Sequence, residues 1–131
     1  MGLLKNYATT LYEWLSEFAP TYRRPIQEGT FTAENPKPNE YISYSAELGN
    51  FNSEFIQPIK VLSKSTGYTN VMNIVDEIES AIGENGIKVD GEWGYITIYK
   101  GSPFAQDIED EDSSYRANYV NLLIRVYQKE I

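Results

Sequence analysis

The chain predicts an α+β fold, with two amphipathic helices packed on one face of a mostly antiparallel mixed sheet of four to six strands. Three observations carry this expectation. Two stretches, residues 3–18 and 71–82, place apolar side chains at steps of three and four, the spacing of one helix face. Several other runs alternate apolar and polar residues with a period of two, as half-buried strands do. Helices and strands that each present one apolar face are most economically buried as helices on one side of a sheet. At 131 residues the chain corresponds to a single domain, 1–131, long enough to bury an ordinary core.

In the first helix Leu4, Ala8, Leu11, Leu15 and Phe18 form the stripe, and Tyr7 and Trp14 widen it. Pro20 ends it, because proline disfavours helical geometry in the residue before it. Residues 22–27 read as a short strand. The polar stretch 28–39 holds two prolines and reads as a long surface loop. In residues 41–48, Ile42, Tyr44, Ala46 and Leu48 share one strand face, opposite Ser43, Ser45 and Glu47. Residues 50–53 read as a turn. In residues 54–63, Phe55, Gln57, Ile59 and Val61 oppose Ile56, Lys60 and Leu62, and Pro58 points to an edge strand or a bulge. These two runs are expected to pair as an antiparallel hairpin.

The second helix follows, with Thr69 or Asn70 as its cap and Val71, Ile74, Val75, Ile78 and Ile82 as its stripe. Gly83 is its expected stop, and Asn85 with Gly86 is a turn signal. Residues 93–100 alternate as a strand. Gly101 and Pro103 then stop the ladder, one by freeing φ and the other by removing a donor. Phe104 comes next, a large apolar side chain where a polar loop is expected, so it folds back on the core or sits against another protein. After an acidic loop the last strand, residues 115–127, sets Val120, Leu122, Ile124 and Val126 against Asn121, Leu123, Arg125 and Tyr127.

Composition narrows the chemistry. With no cysteine there is no disulfide, thiolate ligand or cysteine nucleophile. With no histidine the usual general base and zinc ligand are also missing. A non-enzymatic role is therefore expected, with no catalytic, cofactor or metal site. A net charge of −8 disfavours attraction to nucleic acid phosphates and to anionic membranes. No apolar run approaches a membrane span, and the first six residues lack the pattern of a secretory signal, so the cytoplasm is the expected place of synthesis. Eleven tyrosines suit strands and protein interfaces alike.

The remaining candidate sites are weak. Asp107, Glu109, Asp110, Glu111 and Asp112 supply oxygen ligands, but the central glycine of a calcium loop is missing and Asn118 stands at its closing position. A solvated acidic loop is the expectation. A hydrolase built on two of these acids would need facing geometry that adjacency does not supply. Residues 83–86 close a helix and lack the lysine and hydroxyl of a phosphate loop. Arg23 and Arg24 are expected to pair with carboxylates. Trp93, Tyr95 and Tyr99 would form a platform for sugars if exposed together, although packing under a helix is the expected fate.

Several phrases acquire meaning in combination. They are residues 64–69 (KSTGYT) before the second helix, 76–79 (DEIE) with 81–84 (AIGE) and Gly86, 101–106 (GSPFAQ), 110–112 (DED), and Arg116 with Tyr119, Asn121, Leu122 and Ile124. Together these resemble the tail terminator (tail completion or minor capsid) proteins of long-tailed phages and prophages of Gram-positive bacteria. The resemblance covers roughly residues 40–128. Gly67 departs from it, standing where another small polar residue is commoner, and the loop 28–39 has no counterpart.

The resemblance implies an α/β sandwich and a structural virion protein. Such a protein caps the head-proximal end of the tail tube as a homo-oligomeric ring, usually a hexamer, after assembly in the host bacterial cytoplasm. Its implied partners are further copies of itself, the tail tube protein and a head connector or stopper protein, with genomic DNA passing through unbound. The family has no catalytic residues to carry over. Phe31, Tyr68, Tyr99, Phe104, Asp107, Asp110 and Arg116 are the candidate subunit or partner contacts. Another head–tail connector component, a stopper or joining protein, is the close alternative, and an aromatic carbohydrate-binding module is the alternative from a different class.

Overall fold

Period-two alternation builds most of this molecule, and the two helical stripes cover one side of what it builds. The computed structural model describes residues 2–49 and 53–129. Its elements are α1 (Leu3–Leu15), β1 (Thr21–Arg23), β2 (Glu40–Tyr44), β3 (Phe55–Lys64), α2 (Thr69–Ile82), β4 (Ile87–Gly91), β5 (Gly94–Ile108) and β6 (Tyr115–Gln128). The sheet has six strands in the order β1-β2-β3-β6-β5-β4. Only β1 and β2 run parallel, and every other neighbouring pair is antiparallel. Both helices lie on one face, so the predicted fold class holds.

The main core sits between that face and the helices. All five stripe residues of α2 are buried, together with Tyr7, Leu11, Trp14 and Leu15 of α1. The sheet answers with Ile42, Ile59, Val61, Ile96, Ile98 and the even-numbered face of β6, Val120, Leu122 and Ile124. The predicted hairpin of β2 and β3 forms, with Ile42 opposite Val61. Burying such side chains stabilises each by roughly 1.5–3 kcal/mol, which makes this face the main source of stability. The α1 stripe is rotated from the expected one: Leu4 is 47% exposed while Tyr7 is fully buried.

Several expected boundaries move for local reasons. The first helix ends at Leu15, three residues early, because the N–H groups of Glu17 and Phe18 turn to the carbonyls of Trp14 and Leu15, tightening the last turn. Phe18 then folds edge-on against Trp14, with ring centroids 5.1 Å apart. Neither Thr69 nor Asn70 caps α2; Tyr68 is the N-cap residue and makes no side-chain capping bond. The second strand stops at Tyr44 instead of residue 48, and β1 spans only Thr21–Arg23 before Pro25. The turn expected at residues 50–53 lies, apart from Ser53, outside the described residues. The edge strand β4 was not anticipated as an element of its own.

Two proline expectations are corrected. Pro58 sits in β3, between β2 and β6, opposite Asn121. It is tolerated because the β2 ladder has already ended at Ser43 opposite Lys60, which leaves β3 a local edge on that side. Likewise Gly101 and Pro103 do not stop β5. Pairing with β6 runs to Lys100 opposite Leu122, breaks, and resumes at Ala105 opposite Val120. The intervening residues bulge out against Asn121, whose side-chain amide donates to the Pro103 carbonyl at 2.9 Å.

Candidate docking surfaces

The face of the sheet away from the helices has two halves. One half is covered by the loop 24–39, the crossover that the parallel pairing of β1 and β2 requires, which here runs over this face. Tyr41, Leu62, Tyr115 and Ala117 form a second small core there, with Tyr22, Ile26 and Ile108 packed against it. Phe31 meets the Tyr22 ring edge-on at 5.2 Å, and Tyr41 meets Tyr115 at 5.7 Å. Lys37 lies 4.3 Å from the Tyr115 ring centre, and the Tyr115 hydroxyl donates to the Pro38 carbonyl at 2.7 Å. Burial, helped by the carboxylates of Asp110 and Asp112, pushes the Tyr41 phenol up to about 12. The loop is therefore an anchored cover, and Phe31 belongs to that cover.

The other half carries three parallel cross-strand rows that no element covers among the described residues. Lys88, Thr97 and Arg125 form the middle row across β4, β5 and β6. On one side lie Asp90, Tyr95 and Tyr127, with the two tyrosine rings stacked at 4.6 Å. On the other lie Tyr99, Leu123 and Ile56. Tyr99 and Ile56 are among the most exposed large apolar side chains of the described residues, at 38% and 41%. The cations lean over the aromatic rings: Lys88 is 4.3 Å from the Tyr95 centroid and Arg125 is 5.2 Å from that of Tyr127.

Behind the sheet, the bulge of β5 swings Phe104 toward α2. Phe104 is half-buried against the main core and helps line a groove of about 310 Å³ with Met72, Val75, Asp76, Glu79 and Asp107. Met72 is 51% exposed. The Asp107 carboxylate accepts a 2.9 Å hydrogen bond from the Asn118 amide. A third concavity, about 440 Å³, brings together Tyr68, Asp110 and Arg116. There the Arg116 guanidinium donates to the Ser113 carbonyl at 2.9 Å and lies 6.0 Å from the Tyr68 ring centre.

The seven predicted contact residues thus fall in four places. Tyr68, Asp110 and Arg116 meet, as do Phe104 and Asp107, while Phe31 and Tyr99 stand apart. The acidic stretch is not uniformly solvated as expected. Asp110 is the exception, forming an ion pair of 2.5 Å with Lys60, its side chain only 9% exposed. Asp107, at the end of β5, and Glu109, Glu111 and Asp112 are exposed, and hydrogen bonds from Ser114 hold the Asp112 carboxyl below its ordinary range. Among the described residues no three acidic side chains converge on a metal position.

Two further expectations change. Arg23 and Arg24 have no carboxylate partner among the described residues; the Arg23 guanidinium lies 5.7 Å from the Tyr44 ring centre instead. Trp93 packs on the helix side, its indole N–H donating to the Thr10 hydroxyl at 2.9 Å, whereas Tyr95 and Tyr99 face away from the helices. The three therefore do not share one flat platform. Lys88, Leu123, Arg125 and Tyr127, which line the uncovered face and were not among the predicted contacts, lie where the sequence carried a readable signal. The second face of β6 is apolar and aromatic, and only two helices were available to cover two sheet faces. No family model and no curated protein matches this chain.

Proposed function

We propose that this chain is a structural subunit that caps the head-proximal end of a phage tail tube as a ring and offers the surface on which the head docks. The observation that carries the reading is the uncovered half of the sheet, where Tyr99 is exposed and Tyr95, Leu123 and Tyr127 are half-buried with no element packed over them among the described residues. A sheet face of this make-up, with aromatic area on both sides of a central pair of cations, is suited to protein contact. The sequence phrases that resemble the tail terminators supply the kind of assembly.

A tail tube grows by stacking equivalent rings, a head-to-tail contact with no intrinsic end. A subunit whose ring seats on the last tube ring but cannot itself be extended supplies that end. A phage lacking this gene is therefore expected to make tails of abnormal length that fail to join heads, while its heads still package DNA. Electron micrographs showing tails of normal length joined to heads in that mutant would remove the reading.

A further inference from the structure

Two surfaces on opposite sides of the sheet are built alike and charged oppositely. On the helix-free side the apolar rows of Tyr95, Tyr127, Tyr99 and Leu123 flank Lys88 and Arg125, with Asp90 as the one acid in these rows. Lys88 keeps more than half of its side chain exposed, and Asp90 stands 3.5 Å from it. On the α2 side the apolar centre is Met72, Val75 and Phe104, and its rim is Asp76, Glu79 and Asp107. Lys100, 3.9 Å from Glu79, is the cation nearest that rim. Each surface therefore sets apolar side chains beside charges dominated by one sign, the cations running between the apolar rows on one side and the acids rimming the groove on the other, in a chain whose overall charge of −8 would otherwise keep copies apart.

We infer that these two surfaces dock against each other between copies of this chain, the Lys88–Arg125 face of one copy on the Met72–Phe104 groove of the next. This rests on the reading of the chain as a ring subunit and names the two halves of the contact. The contact uses different surfaces on its two sides, so it is heterologous and propagates head to tail, as a ring requires. The apolar side chains of the two surfaces would cover one another, and the opposite charges beside them would fix register and suppress the like-faced pairings.

Charge reversal on each side tests this directly. Variant one carries Lys88→Glu and Arg125→Glu, so both of its surfaces are acidic. Variant two carries Asp76→Lys and Glu79→Lys, so both of its surfaces are basic. In sedimentation velocity the native chain is expected to self-associate, and more weakly at high salt. Each variant alone is expected to sediment as a monomer with a native circular dichroism spectrum. An equimolar mixture should regain association, because each variant now complements the other at both contacts.

A mixture that stays monomeric, or a variant that associates alone as the native chain does, would overturn the contact. So would a native chain that stays monomeric at every concentration. Rings that survive both reversals would remove this interface and leave the capping role standing. Recovery in the mixture alongside normal tails in the deletion mutant would do the reverse.

Discussion

At position 58 the backbone of β3 has no N–H to offer, and the neighbouring amide of Gln57 takes over the pairing. Gln57 is fully buried. Its Nε2 donates to the carbonyls of Ser45 and Pro58, each at 2.9 Å, and its Oε1 accepts from the Glu47 N–H at 2.9 Å. The same oxygen accepts from the Tyr7 hydroxyl of α1 at 2.7 Å. One side chain thus replaces the ladder where β2 ends and ties that end to the first helix. Burial accordingly pushes the Tyr7 phenol far above its ordinary range. Gln57→Leu keeps the volume but leaves several buried polar groups unpaired, each worth about 1–3 kcal/mol, so we expect a loss of about 3 kcal/mol. Tyr7→Phe removes only one bond and should cost about 1 kcal/mol. Urea denaturation checks both, and equal losses would show that the amide does not act as the hub.

At the scale of elements, the bulge in β5 decides where Phe104 points. A Cβ on Gly101 would sit 2.8 Å from the Asn121 carbonyl oxygen and 2.9 Å from its Cβ, both in the paired strand. Gly101→Ala must therefore push β5 off β6 at the bulge, and overpacking of this kind costs about 1–3 kcal/mol. Phe104 would shift from α2 with it. Near-ultraviolet circular dichroism and thermal unfolding should both change, and an unaltered melting temperature would show that the bulge yields freely.

Residues 101–103 also mark the limit of what the sequence made legible. Glycine and proline do signal a break in a ladder, and the ladder does break there. Nothing local says that pairing resumes at Ala105, because the partner, Val120, lies beyond an intervening loop. The α2 stripe and both faces of β3 and β6 were readable because periodicity alone fixes them. The strand β4 escaped because five residues between turn signals give too little alternation to distinguish a strand from a loop. For the candidate contacts the same limit applies. Tyr99 was expected to pack under a helix yet lies on the face away from both helices, and the Lys88–Thr97–Arg125 row depends on three strands in register, which no single stretch encodes.

The whole molecule is acidic, and only two of its eleven Lys and Arg residues, Lys88 and Arg125, lie in the rows of the uncovered sheet face. That distribution has a consequence for DNA. Duplex affinity comes mainly from Lys and Arg that neutralise phosphates and release counterions, and strong salt-dependent binders use many such contacts. The uncovered sheet face offers two, Lys88 and Arg125, with Asp90 beside them. In a ring closed through that face, both would be occupied by Asp76, Glu79 and Asp107 of the next copy. Six copies at −8 each would carry about −48, a ring that repels phosphates approaching within roughly 8 Å, the screening length at physiological salt. DNA passing through such a ring would slide and not stick, as ejection through a tail needs. We therefore expect no measurable duplex binding at physiological ionic strength, by the native chain or by the variant carrying Lys88→Glu and Arg125→Glu. The variant carrying Asp76→Lys and Glu79→Lys, its charge raised by four, is the one that should begin to retard duplex DNA at low salt. A salt-sensitive gel shift by the native chain at sub-micromolar concentration would mean that its cations face a channel instead of a neighbouring subunit.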